Sequence, residues 1–147
     1  MAIPGVGPVT ALSFMTAIDD PTGFRRSRDV AAYFGLTSRR WQSGSTIDIQ
    51  GRISKAGDAD VRCALYEAAS GMLTRFKGRD KVKNWGQAIA KRSCHLKACV
   101  AVARKLAVIM HAIWSDGTFY VGDPAADQGD TGHRAHGKAC KLLGAHR

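Results

Sequence analysis

The chain is poor in several things at once. Aromatic residues make up 7% of its 147 positions and acidic residues number only 12. No apolar stretch is long enough to cross a bilayer, because the longest run, Ala98 to Trp114, is interrupted by Arg104 and Lys105. A membrane role is excluded on that ground. The start, Met1-Ala2-Ile3-Pro4-Gly5, lacks the charged and apolar regions of a secretory signal, so a cytoplasmic protein is expected. Its four cysteines then read as thiols rather than a disulfide framework. Cys63, Cys94 and Cys99 fall in helical patterns and read as small buried hydrophobes. His133, His136 and Cys140 have spacings a metal could use, but no fourth ligand lies nearby, which leaves a zinc site unsupported.

What is present is positive charge. Lysine and arginine total 22, for a formal charge of +10. Between Arg25 and Lys105 there are 18 basic and six acidic residues, a local net of +12. Such a field favours a polyanion, nucleic acid above all, although a merely solvated basic surface remains the plainer alternative. At this length the chain is one domain, able to bury about two-thirds of its unfolded surface.

The pattern of apolar residues predicts a mainly helical fold interrupted by a small hairpin. Ile3-Pro4-Gly5-Val6-Gly7-Pro8 leads into an apolar helical segment from Val9 to Ile18, with Pro8 suited to a first helical position. This resembles the hairpin and second helix of a helix-hairpin-helix element. Gly5, Val6 and Gly7 would then bring backbone amides to a phosphate, or the turn would simply pack two helices. The first helix of that element is missing, which suggests the end of something longer.

A short helix is expected from about Ser27 to Phe34, closed by Gly35 in a left-handed conformation. Thr37 to Ser45 is polar and basic. Within it Arg39 and Arg40 adjoin Trp41, so the arginines can hold phosphate while the indole stacks on a base, or Trp41 packs into the core. Thr46 to Ile49 and Arg52 to Ser54 alternate apolar and polar around Gln50-Gly51, which predicts a hairpin with its turn there. That arrangement sends Ile47, Ile49 and Ile53 inward and Arg52 and Ser54 outward. Asp58 can cap a helix to about Phe76, with the stripe Val61, Leu65, Ala68, Met72 and Phe76 on one face. Arg62, one turn on, can point back to the loop that holds Ser54. A basic loop from Lys77 to Lys83 precedes one long core helix at about Trp85 to Asp116. There Leu96, Val100, Ala103, Ala107, Met110 and Trp114 repeat at three- or four-residue steps. Residues 1–122 thus form the domain, and 123–147 read as a loose tail.

Ser54 is the candidate nucleophile. A serine hydroxyl needs a base or stabilising cations, and no histidine is nearer in sequence than His95. A serine-histidine hydrolase therefore finds no support. Arg52, Lys55 and Arg62 suit attack on a phosphodiester, whose pentacovalent oxyanion needs positive charge. The alternative is a loop serine that satisfies backbone groups ahead of the Asp58 cap.

In chain order, IPGVGPVTALSF, FRRSRDVAAYFGL, WQSGS, GRISKAGDADVRCALYEAA and AVARKLAVIMHAIW resemble the C-terminal transposase domain of the insertion-sequence 110 type transposases, over about Ile3 to Tyr120. The resemblance implies a DNA recombinase guided by a bridge RNA and acting as a homo-oligomer. It maps the catalytic serine onto Ser54, which would hold one DNA end as a phosphoserine. It also implies a composite site completed by an N-terminal nuclease-like domain with four magnesium-binding acids and a coiled coil. Those parts have no counterpart here, so no cofactor is expected in this chain and strand exchange by the chain alone is not. Asp58 and Asp60 read as helix-cap and first-turn residues rather than metal ligands. A non-catalytic DNA- or RNA-binding module, or a transposase remnant, is the alternative.

Overall fold

The computed structural model describes residues 3–43 and 47–122, with the backbone alone for 41–43 and 47–50. The expected tail, together with His133, His136 and Cys140, lies outside the described residues.

Pro8 starts helix α1 (Pro8–Ile18), and a 3-10 turn follows at Pro21–Gly23 under an Asp20 cap. Helix α2 is one short segment, Asp29–Tyr33. Gly35 ends it at φ +66, the left-handed conformation that glycine adopts without steric cost. Strands β1 (Ser38–Ser43) and β2 (Ile47–Ile53) pair antiparallel, and helices α3 (Ala59–Thr74), α4 (Lys81–Arg92) and α5 (His95–Asp116) follow. The fold is mainly helical, with a small hairpin ahead of α3 and a long last helix.

Two acids begin helices as their chemistry requires. The Asp58 carboxylate accepts from the amides of Asp60 (2.8 Å) and Val61 (3.3 Å), and that of Asp80 from Val82 (2.7 Å) and Lys83 (3.2 Å). Each cap satisfies amides that the first helical turn leaves without partners.

The core lies where α3 and α5 face each other, with α4 on α5 and α1 on α3. Leu65, Ala69 and Met72 of α3 meet Cys99, Val102 and Leu106 of α5, all fully buried. Each large apolar side chain removed from water in this way contributes about 1.5–3 kcal/mol. Phe14 of α1 and Phe34, with ring centroids 5.4 Å apart, tie the first helix to the region before the hairpin.

Three expectations need correction. The hairpin does not turn at Gln50-Gly51: residues 47–53 form a single strand, and the stretch beginning at Ser38 is its partner. The pairing shifts between Ser38 and Arg40, where Gly51 and Arg52 stand opposite the single residue Arg39. The glycine marks a bulge within a strand, not a turn.

The segment expected as one helix from about Trp85 to Asp116 is divided, and the long last helix begins only at His95. α4 stops at Arg92, Ser93 and Cys94 take extended or irregular backbone, and α5 begins at His95. The break turns the inward face of α5 to Ala98, Cys99, Val102, Ala103, Leu106, Ala107, Met110 and His111, leaving Leu96 exposed. Finally, Cys63 and Cys94 are exposed, and only Cys99 of these three cysteines is buried.

Candidate nucleic-acid interface

Ser54 begins a short strap, residues 54–57, that joins β2 to α3 and lies against residues 33–37. Its amide donates to the Thr37 carbonyl at 2.8 Å, and that of Lys55 to the Gly35 carbonyl at 3.1 Å. Two glycines make this approach possible. A Cβ on Gly35 would stand 2.3 Å from the Ala56 nitrogen, and one on Gly57, at φ +70, 2.1 Å from the Tyr33 carbonyl oxygen. Backbone packs on backbone here, with no room for a side chain between.

Two arginines tighten the strap. Arg39 Nη2 donates to the Ser54 carbonyl at 3.1 Å, and Arg62 Nη1 to the carbonyls of Ala56 (2.9 Å) and Phe34 (3.2 Å). Arg62 therefore does point back to the serine loop, as a brace on its backbone. Lys55 holds φ +55, a left-handed conformation costing a side-chain-bearing residue about 1–2 kcal/mol. Strain of that kind persists only where surrounding contacts overdetermine it.

The Ser54 main chain is thus held at both its amide and its carbonyl. Its side chain, half-buried, has no hydrogen-bond partner among the described residues. A hydroxyl that served only to satisfy the loop would show such a bond. Arg52 and Lys55 flank it, both exposed, and Arg40 is exposed on β1. The side chain of Trp41 lies outside the described residues.

Gly5, Val6 and Gly7 form a separate feature. The Val6 amide closes a turn onto the Ile3 carbonyl at 3.0 Å. Gly5, at φ +84, presses on α3, where a Cβ would lie 2.4 Å from the Ala68 carbonyl oxygen. Gly7 caps α1 in extended backbone with open space around it. The need for glycine at position 5 is therefore one of packing. Ala68 is ten residues along α3 from Asp58, so this turn sits about 15 Å from the serine strap along the helix. The structure groups Arg39, Arg52, Ser54, Lys55 and Arg62 but keeps the glycine turn apart from them.

Among the described residues no group of three or more histidine, cysteine or acidic side chains is placed to hold a metal ion. Asp58, among the described residues, is engaged as a helix cap. No helix of the described residues is long and apolar enough to cross a membrane.

Sequence reasoning passed over a second feature beside the strap. Trp85 stands 40% exposed on α4, and the Lys105 ammonium sits 4.5 Å from its ring centroid. The sequence signal is an indole about one helical turn after the Asp80 cap, on a helix separate from α5.

Comparison with known proteins bears on what this geometry serves. Residues 1–85 match the family model described as "Transposase IS116/IS110/IS902 family". The chain is 39% identical over 113 residues to a transposase for insertion sequence element IS1111A from Coxiella burnetii, covering 76% of this chain and 31% of that protein. A transposase for insertion sequence element IS1328 from Yersinia enterocolitica is 32% identical, with 82% of this chain and 36% of the relative covered. A pilin gene-inverting protein from Moraxella bovis is 33% identical, with 76% and 34% covered. The chain spans about a third of the length of these curated relatives.

Proposed function

Since the chain belongs to the IS116/IS110/IS902 transposase family, we propose that it is the C-terminal, DNA-joining domain of a transposase and that Ser54 is its nucleophile. The observation that carries this reading is the serine strap. Its main chain is clamped by Thr37 and Arg39 while the hydroxyl is left without a partner among the described residues.

In the proposed reaction Ser54 Oγ attacks a DNA phosphorus. A bond from Oγ to phosphorus forms, one strand's phosphorus–oxygen bond breaks, and the freed strand leaves as a hydroxyl that gains the proton the serine gives up. The phosphoserine keeps the bond energy for rejoining to a new strand. Arg52 and Lys55 stabilise the oxyanion, because preorganised positive charge acts where negative charge develops. Arg39 and Arg62 hold the strap and so set where the serine stands. Arg40 and the amides at Gly5, Val6 and Gly7 contact backbone phosphates away from the reacting centre.

On this reading the acidic, magnesium-binding half of the site comes from another domain or subunit. A structured guide RNA selects the DNA, the working form is a homo-oligomer, and the reaction takes place in the cytoplasm. The pilin gene-inverting relative fits a recombination that joins exchanged DNA ends.

One observation favours a binding-only module instead. Arg39 and Arg62 each spend N–H groups on backbone carbonyls, which leaves fewer cations for a transition state. The two readings part on one variant. In a full-length recombinase carrying this domain, Ser54→Ala should abolish recombination and the covalent protein–DNA adduct while leaving DNA affinity within about twofold. Recombination by the Ala variant would remove Ser54 from the reaction. Binding in either case should weaken with salt, log affinity falling by about 0.9 per phosphate contact for each unit of log salt.

A further inference from the structure

A groove of about 550 Å³ opens between the base of the hairpin and helices α4 and α5. Leu36 and Ile53 form its apolar hairpin side, Trp85 stands at its α4 side, and Lys97, Arg104 and Lys105 project from α5. All three cations are exposed, and none has an ion-pair partner among the described residues. Arg104 and Lys105 follow Lys97 by seven and eight residues, so the three lie along one side of the helix over about 12 Å. No carboxylate lines the groove.

This combination has a specific chemical meaning. A purely apolar groove would suit a peptide or a second helix, and a purely basic one a duplex backbone. An apolar slot with an exposed indole, one cation over its ring and two further cations at its edge suits a flat aromatic group attached to a phosphate. Proteins that hold single-stranded nucleic acid use that pairing of aromatic platform and positive groove, because every base has a face to stack. The volume lies within the range of small-ligand clefts, about 300–1,000 Å³, enough for a nucleotide and too confined for a double helix.

Position links the groove to the serine. Ile53, on the groove wall, is the residue before Ser54, and its cross-strand partner Ser38 also lines the groove. Ser54 does not itself line the groove but follows at the next position, so the groove and the serine strap adjoin along the chain.

We infer that this groove binds an unpaired DNA nucleotide next to the phosphate that meets Ser54, with Trp85 as stacking platform and Lys97, Arg104 and Lys105 holding the flanking phosphates. The inference rests on the DNA-joining reading, and its experiment is separable from that one because it reads binding rather than strand exchange.

The probe is a short fluorescently labelled oligothymidylate, compared with a matched duplex and with oligouridylate. Trp85→Ala should weaken single-strand binding about tenfold, the scale of losing one base–aromatic stack, and duplex binding by less than about twofold. Trp85→Phe should retain most of the single-strand affinity, which a general loss of structure would not allow. Lys97→Gln with Arg104→Gln should lower the single-strand salt slope by about 1.4, two contacts at about 0.7 each. No loss with Trp85→Ala, an equal loss on duplex and single strand, or a loss confined to oligouridylate would overturn the proposal. If Ser54→Ala still recombines while Trp85→Ala loses single-strand binding, the groove stands and the serine assignment falls. The converse pair of results rejects the groove alone.

Discussion

Arg62 Nη1 lies 3.2 Å from the carbonyl oxygen of Phe34, a hydrogen bond across 28 residues that fastens the first turn of α3 to the end of α2. The same nitrogen reaches Ala56 at 2.9 Å, so one guanidinium group spans both sides of the serine strap. Arg62→Ala should cost about 1–3 kcal/mol, two charge-assisted hydrogen bonds discounted for partial exposure. The local signature is sharper than the global one. Hydrogen exchange should accelerate at the Ser54 and Lys55 amides, which bond to Thr37 and Gly35, and change little in α5. If those amides stay as protected as in the parent, Arg62 does not hold the strap.

The glycines of the chain separate into those that space requires and those that it does not. Gly57→Ala puts a Cβ 2.1 Å from the Tyr33 carbonyl oxygen at φ +70, and should destabilise by more than about 2 kcal/mol. Gly7→Ala meets nothing within 4 Å and should cost no more than about 1 kcal/mol, the difference between glycine and alanine as a helix cap. Urea melts of the two variants check this ordering. If Gly7→Ala nonetheless weakens DNA binding, the turn at Gly5 to Gly7 contacts the backbone; unchanged affinity leaves it a packing device.

Tyr120 donates its hydroxyl proton to Asp80 at 2.6 Å, both residues being buried. Burial, followed by the hydrogen bond and charge of Asp80, raises the phenol's pKa above its ordinary value of about 10. A group held protonated in the folded state contributes stability that is complete below its unfolded pKa and is lost as pH rises beyond it. Stability should therefore fall above about pH 10, and Tyr120→Phe should flatten that alkaline limb. At neutral pH the same variant should cost about 1–3 kcal/mol, because one Asp80 oxygen loses its partner. A Phe variant with the parent's alkaline profile would show that Tyr120 does not titrate in this way.

The parts of the fold that could be read in advance are those controlled by single residues acting locally. Pro8, Gly35 and Asp58 each set a helix end through their own backbone or carboxylate, and each does so in the structure. The hairpin needed more. Gly51 signals a departure from regular strand geometry, and whether that departure is a turn or a bulge depends on which residues pair, which is decided by β1 across the sheet. The division between α4 and α5 carries no proline or glycine, so residue pattern alone gives no sign of a stop at Ser93. His111 shows the same limit. Its burial against Phe24 is made acceptable by partners far along the chain, with Nε2 donating to the Pro21 carbonyl at 2.9 Å and Nδ1 meeting Ser27 Oγ at 3.1 Å. In the site, the cluster of Arg52, Ser54, Lys55 and Arg62 was legible because it is local in sequence. The groove that joins Ile53 to Trp85 and Lys97 was not.

The cysteines offer a direct check on how α3, α4 and α5 are arranged. A thiol reacts as the thiolate, so both access and pKa govern its rate. Cys99 fails on both counts: it is fully buried on α5, and burial raises its pKa, offset only in part by hydrogen bonds from Tyr66 and Ser70. Cys63 and Cys94 are exposed. With maleimide at neutral pH and peptide mapping of the products, Cys63 and Cys94 should be modified in the native protein, while Cys99 should react only on denaturation. Cys94 stands just before the first residue of α5, outside the core, while Cys99 lies on the inward face of that helix. Native labelling of Cys99 with Cys94 protected would overturn the placement of α5.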